Sequence, residues 1–262
     1  MPVFVNELRH GWKSLIGWTI GLVAVCIVYL PFFESIGASP ELQAMLDSLP
    51  RSLVVGMGFD TMFTGPGYVH SSVLELTAAI LVLIAAIGWG SRAIAGDEEA
   101  GMLELTLAHG VSRSRVYTER ALAIVVRFVI LGIALWAILM ASSQPFSLAL
   151  DAGYTAAGVG SFTVLAIAIS FVALAVGAAT GRASAALGAG GGAAVVAYIA
   201  NVIGRQSQDW GWLSDVSPFG WAFAEVPIMN GWDGRGLALL TGLSLVAFAA
   251  GLLAVNRRDI VG

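Results

Sequence analysis

The stretch TAAGVGSFTVLAIAISFVALAVGAATGRASAALGAGGGAAVVAYIANVIG, residues 155–204, contains one charged residue in fifty positions, Arg182. A helix rises about 1.5 Å per residue, so roughly 20 apolar residues cross a bilayer. The stretch is therefore two spans, 155–180 and 186–204, turning at Gly181-Arg182-Ala183-Ser184 as a helical hairpin. Four further apolar runs, near 12–33, 69–92, 116–141 and 236–255, bring the expectation to six transmembrane helices in one domain covering 1–262. The fold class is all-α, a polytopic membrane protein with short amphipathic interfacial and coupling helices.

Composition agrees. Of 262 residues, 58% are hydrophobic and 11% charged, with mean hydropathy +0.85; a soluble domain carries about 25% charged residues. The net charge of -4 argues against a nucleic-acid partner. The single cysteine, Cys26, has no neighbouring ligands, so neither a disulfide nor a metal site is readable. The first span is longer than a signal-peptide core. Its removal after Gly37-Ala38-Ser39 would leave five spans, so it is expected to be retained.

Lysine and arginine set the orientation. Arg9, Lys13, Arg92, Arg113, Arg115, Arg120, Arg182, Arg257 and Arg258 fall on one side, and Arg51, Arg205 and Arg235 on the other. Both termini are thus expected in the cytoplasm. The external segment 34–68 should hold a surface helix opening at Ser39-Pro40-Glu41, with Leu42, Met45, Leu46 and Leu49 on one face and Pro50 at its end. The external segment 205–234 carries Trp210, Trp212, Phe219, Trp221, Phe223 and Trp232, and Ser217-Pro218 and Pro227 bracket a short helix in it. These aromatics suit the headgroup layer, as a plain belt or as substrate contacts.

Between the second and third spans lies AGDEEAGMLELTLAHGVSRSR, residues 95–115. Asp97, Glu98 and Glu99 read as the acidic start of a cytoplasmic helix. Met102, Leu103, Leu105 and Leu107 give it apolar side chains, and Gly110 ends it. From the residues alone it is either a membrane-surface connector or a docking element.

This segment resembles the coupling region of type-2 ATP-binding-cassette (ABC) exporter permeases, whose common form is acids, Gly-Thr-Leu-Glu, an apolar run and Pro-Val-Ser-Arg. Met102 replaces the usual threonine and Gly110 the usual proline. Asn6-Glu7-Leu8-Arg9 and Arg257-Arg258-Asp259-Ile260 are similar too. The resemblance implies two permease subunits, a homodimer or a pair of paralogues, working with two copies of a separate ABC ATPase. On its motif, Glu98, Glu99, Gly101, Glu104 and Arg113 take coupling roles, with the acids facing the ATPase and Leu103 and Leu107 filling its groove. It also places the first and fifth spans at the subunit interface. Gly17, Gly21, Gly188 and Gly192, at small-xxx-small spacing, are then the expected dimer contacts.

No G-x-x-x-x-G-K-[ST] occurs, and Lys13 is the only lysine. The chain is accordingly expected to bind no cofactor, leaving ATP and Mg to the partner ATPase. His10, His70 and His109 are far apart, and no catalytic or metal residue is expected. Two ionisable residues lie inside spans, Glu75 and Arg127, where a central charge costs about 2.5–3.5 kcal/mol. They could reach one another if their helices are adjacent, forming a polar patch on the pathway; otherwise Arg127 snorkels to the surface or belongs to an extended cytoplasmic start of the third helix. The expectation is a permease in the plasma (inner) membrane of a prokaryote, exporting a hydrophobic or amphipathic substrate (drug, antibiotic or lipid-like). An ion-gradient-driven secondary transporter, or a multispan membrane enzyme or scaffold, is the alternative.

Overall fold

The computed structural model describes residues 2–37, 48, 63–108, 110–206 and 208–258. The expected surface helix at Ser39–Pro50, along with Arg51, His109, Asp259 and Ile260, lies outside them. Six helices are long and apolar enough to cross a membrane, and no strand occurs among the described residues.

Helix α1 is Pro2–Tyr29 and is followed by a short α2, Phe32–Gly37. Helix α3 runs without a break over Gly65–Glu99. After a first α-helical turn, Gly65–Tyr68, it widens into a nine-residue π-helical segment, Val69–Thr77, in which the Thr77 hydroxyl donates to the Ser72 carbonyl five residues back at 2.9 Å. A second wide turn, Arg92–Gly96, lies near its other end. The short α4 is Met102–Ala108. The long helices α5, Arg113–Ser143, α6, Ala152–Thr180, and α7, Ala183–Gln206, follow. After a 3-10 turn at Gln208–Trp210 come three short helices, α8 (Trp212–Asp215), α9 (Pro218–Phe223) and α10 (Pro227–Asn230). Helix α11, Gly234–Arg257, closes the bundle.

Each helix extends past the run that hydropathy marks, because its ends carry polar and charged side chains. The largest difference is at the N-terminus, where α1 starts at Pro2 rather than near residue 12. Local chemistry fixes several ends. The Asp151 carboxylate accepts from the N–H groups of Gly153 and Tyr154 at 2.8 and 2.9 Å, capping α6. Gly181, at φ +68, ends the same helix in the left-handed conformation that glycine adopts without a Cβ clash.

Helix α6 is the axis of the bundle and packs against α3, α5, α7 and α11. Its most apolar window is 61% buried, against 28% for α7 and α11 and 17% for the first span. Phe162, Leu165, Ile169 and Leu174 fill the core, while glycines allow close approach, as where Gly158 meets Ile228 of α10. The outer helices turn apolar side chains away from the protein: Ile16, Ile20 and Ile27 on α1, Ile80 and Ile84 on α3, Val195, Val196 and Ile199 on α7, and Leu245 and Val246 on α11. That surface suits hydrocarbon, in which helices satisfy their own backbone polar groups.

The 205–234 segment is more structured than a loop with one short helix. Ser217 caps α9 as its spacing suggests and also donates to the Ala197 carbonyl of α7 at 2.6 Å. Its aromatics divide in two. Phe219 and Phe223 are 1% exposed and belong to the core, whereas Trp210, Trp212 and Trp232 are open. The two phenylalanines are thus packing residues and do not join an interfacial belt, because α9 turns that face inward, where Phe219 meets Tyr198 of α7 and Phe223 meets His70 of α3 and Phe162 of α6.

Candidate functional site

Both chain ends meet at one end of the bundle, together with residues 95–115. The first turn of α1 is tied to the start of α5: the Phe4 N–H donates to Glu119 Oε2 at 2.9 Å, and Arg115 Nε holds Glu119 Oε1 at 2.8 Å. Next to Glu119 on α5, the buried Arg120 donates to the Ala93 carbonyl and the Asp97 carboxylate of α3, and its Nε lies 3.5 Å from Glu7. Arg127 donates to the Glu7 carbonyl and approaches its carboxylate at 3.3 Å. Its guanidinium sits 5.5 Å from the centre of the Trp89 ring, a cation–π contact. Two arginines and two carboxylates therefore neutralise one another where α1, α3 and α5 converge.

The remaining acids of α3 reach the other spans. Glu98 forms an ion pair with Arg258, just beyond α11. Arg258 also donates to the Ala178 carbonyl of α6 at 3.1 Å, and its own carbonyl accepts from Arg113. Glu99 Oε1 accepts from the Ala183 N–H at 2.8 Å and caps α7, a favourable place for an anion. Gly181 makes room for this: a Cβ there would stand 2.6 Å from both Arg258 Nη2 and Glu98 Oε1. Asp97, Glu98 and Glu99 thus connect α3 to α5, α11, α6 and α7.

The expected single helix with an acidic start is divided. Asp97–Glu99 is the last turn of α3, Gly101 reverses the chain at φ +68, and α4 begins at Met102. The Glu98 carboxylate is engaged with Arg258 inside the chain, whereas Glu99, with Oε1 on the Ala183 N–H, stays exposed at the end of α3. One expectation is corrected here: Leu103, at 2% exposure, is a packing residue and is not free to fill a partner's groove, while Leu107 is half-buried against the core. The projecting apolar side chains are Met102 and Leu105, at 55% and 60% exposure, and Glu104 lies between them on the open side. Helix α4 is amphipathic in the opposite sense to the one expected, because Leu103 and Leu107 share the face turned to the bundle.

Glu75 and Arg127 do not meet. They lie toward opposite ends of the bundle, and Arg127 is paired with Glu7. Glu75 pairs with Arg205 at the end of α7, with His70 Nε2 at 3.7 Å. Of the four spaced glycines, Gly17, Gly188 and Gly192 have open space beside them, while Gly21 faces Leu81 of the same chain. Gly21 is therefore an internal packing position. Among the described residues no three His, Cys, Asp or Glu side chains converge as they would around a metal ion.

The family model described as multidrug efflux system permease Rv1217c, C-terminal domain, matches residues 7–255. The chain belongs to this family. No curated protein sequence matches it. As an efflux-permease chain with six apolar helices it is a multi-pass membrane transport protein. The matched region takes in most of all six long helices and Glu7, Asp97, Glu98, Glu99, Arg120 and Arg127 of the charged lattice, whereas Phe4 and Arg258 lie outside it. Sequence reasoning had placed Glu98 and Glu99 but not their partners. The sequence places Arg258 in the positive-inside set and the family-like C-terminus, Asp97 in an acidic helix start and Ala183 in the hairpin turn, but it pairs none of them, and Glu119 carries no signal at all. Their separations in sequence carry no local signal.

Proposed function

We propose that this efflux permease is the membrane subunit of a type-2 ABC exporter, carrying a hydrophobic or amphipathic substrate outward on ATP hydrolysis by a separate ATPase. Two permease chains, identical or paralogous, work with two ATPases. The end that bears the termini faces the cytoplasm of a prokaryotic cell, which the positive-inside distribution of lysine and arginine supports. Gly17, Gly188 and Gly192, open on the outer faces of α1 and α7, supply the contact between permease subunits.

One observation carries the reading. Helix α4 presents Met102 and Leu105 outward from a turn whose preceding acids are bonded, directly or through Arg120 and Arg258, to all five other spans. A partner that grips α4 displaces the end of α3, and the ion pairs pass that displacement to the bundle. In this scheme Met102, Leu105 and Glu104 meet the ATPase. Leu103 and Leu107 anchor α4, Gly101 is the turn, and Glu98, Glu99 and Arg113 bind the spans together. Glu75 and Arg127 are each engaged in an ion pair, an arrangement that suits structural roles better than ion-gradient coupling.

The test is Met102→Glu combined with Leu105→Glu. Both side chains are exposed, so the variant is expected to reach the membrane and melt at the wild-type temperature. It should lose co-purification with the ATPase and substrate efflux. Wild-type recovery of the ATPase by that variant would refute the assignment.

A further inference from the structure

The end of the bundle opposite the termini holds a cleft that none of the roles above uses. It encloses about 320 Å3 between α8, α9, α10 and the start of α11. That is the lower end of the range for small-molecule sites. Its charged lining is Asp215, Glu225 and Asp233 against the single Arg235, and its aromatic lining is Trp221 and Trp232. None of those four charged side chains enters an ion pair among the described residues. The Asp233 carboxylate accepts the Arg235 N–H at 2.9 Å as the cap of α11, and Asp215 and Glu225 are exposed.

The walls are pre-formed. Trp221 Nε1 donates to the Asp215 carbonyl at 2.6 Å, which orients that indole. Trp232 rests against Gly160 of α6, where no Cβ would fit. Gly220 and Gly236 bring their backbones against the carbonyls of Ser214 and Trp221 too closely for any side chain. Val226, beside Glu225, takes φ +45, a conformation that a β-branched residue adopts only when its surroundings impose it. The neighbouring Ile228, 2% exposed against Gly158 of α6, supplies that restraint.

A cleft with excess negative charge and two indoles in its lining matches a cation with an apolar body. The indole ring quadrupole attracts the charge, and the carboxylates neutralise it. A bare metal ion fits poorly, since no three acidic, histidine or cysteine groups converge among the described residues. We propose that this cleft is a binding site for a small monovalent aromatic ammonium ion, held by Asp215 and Glu225 and stacked on Trp221 and Trp232. This deepens the exporter reading by naming a cargo class at its outward end. It rests on that reading for the side and direction of transport, but binding itself requires neither ATPase nor movement.

The test uses the full chain purified in dodecyl maltoside, titrated with benzyltrimethylammonium and, separately, with benzylsulfonate, an anion of similar size. Calorimetry and tryptophan quenching are expected to show saturable binding of the cation and none of the anion. Asp215→Asn with Glu225→Gln should weaken the cation roughly tenfold, and Trp232→Leu several-fold, with unchanged melting temperatures as the folding control. Affinity should be equal in nanodiscs of phosphatidylglycerol and of phosphatidylethanolamine. Equal binding of the sulfonate, wild-type affinity in the carboxamide variant, or loss of cation binding only in phosphatidylethanolamine would overturn the proposal; the last result would assign the cleft to a lipid headgroup. The cleft variants should still co-purify with the ATPase, and Met102→Glu with Leu105→Glu should still bind the cation, so the two readings fail separately.

Discussion

Replacing Glu98 with lysine sets two cations against each other at the junction of α3, α6 and α11. In the native chain Glu98 and Arg258 have side chains 20% and 23% exposed, between an open surface pair and a buried one. An exposed pair contributes about 0–1 kcal/mol, and breaking a buried one costs about 3–5 kcal/mol. The second Glu98 oxygen is buried without a partner, which means the native pair is incompletely compensated. Arg258 also keeps the Ala178 carbonyl at 3.1 Å when Glu98 is lost. Both facts place the cost toward the lower side, at about 2 kcal/mol. For a chain of about this size 1 kcal/mol moves Tm by roughly 2–4 °C, so Glu98→Lys should lower it by about 4–8 °C in detergent. Adding Arg258→Glu reverses the pair and should recover at least half of that loss. Differential scanning fluorimetry on the four proteins of the cycle reads the coupling directly. A wild-type Tm for Glu98→Lys, or no recovery in the reversed pair, would show that the contact does not join α11 to α3.

Arg120→Leu should cost more, toward the lower end of about 3–5 kcal/mol, because Arg120 is 4% exposed and its loss leaves the Asp97 carboxylate without that partner, while Glu7 keeps Arg127. Folded yield in the membrane reads it, and Arg120→Leu with Asp97→Asn should fold better than Arg120→Leu alone. On α4, Leu103→Ala should destabilise by about 2–5 kcal/mol and Leu105→Ala by no more than about 0.5 kcal/mol. The reverse order of melting temperatures would mean that the two faces of the helix are exchanged. Gly181→Ala should cost about 1–2 kcal/mol for the left-handed backbone alone, with a further loss from crowding Arg258; combining it with Glu98→Lys should give less than the sum of their separate Tm shifts. Gly188→Phe should reduce cross-linking between permease copies without lowering Tm, whereas Gly21→Phe should lower Tm through its clash with Leu81.

The six crossings could be read from the sequence because long apolar runs leave a chain in hydrocarbon one solution, the helix that satisfies its own backbone. The true start of α1 could not, since Glu7, Arg9, His10 and Lys13 lower the hydropathy of a helix that is nonetheless continuous. At residues 97–101 two local rules competed. Acids favour a helix N-terminus, and a glycine favours the position just past a C-terminus. The second rule applies, with Gly101 at φ +68, and it moves three carboxylates from the start of α4 to the end of α3. The partners of those carboxylates were beyond any local pattern. Glu98 and Arg258 are 160 positions apart, and the Glu99 cap reaches Ala183 across 84. Leu103 and Leu107 are one turn apart, so their shared face was readable; which way that face points is decided by the bundle.

The continuity of α3 has a mechanical consequence. A 35-residue helix is about 50 Å long, well beyond the roughly 30 Å of hydrocarbon it crosses. Its two overwide stretches are the compliant places along an otherwise regular rod: Arg92–Gly96 lies beside the Glu99 tip, and the longer Val69–Thr77 carries His70 and Glu75. A displacement at that tip would be taken up in part at the near stretch, and what passes along the regular middle would reach the Glu75–Arg205 bond beside the far one.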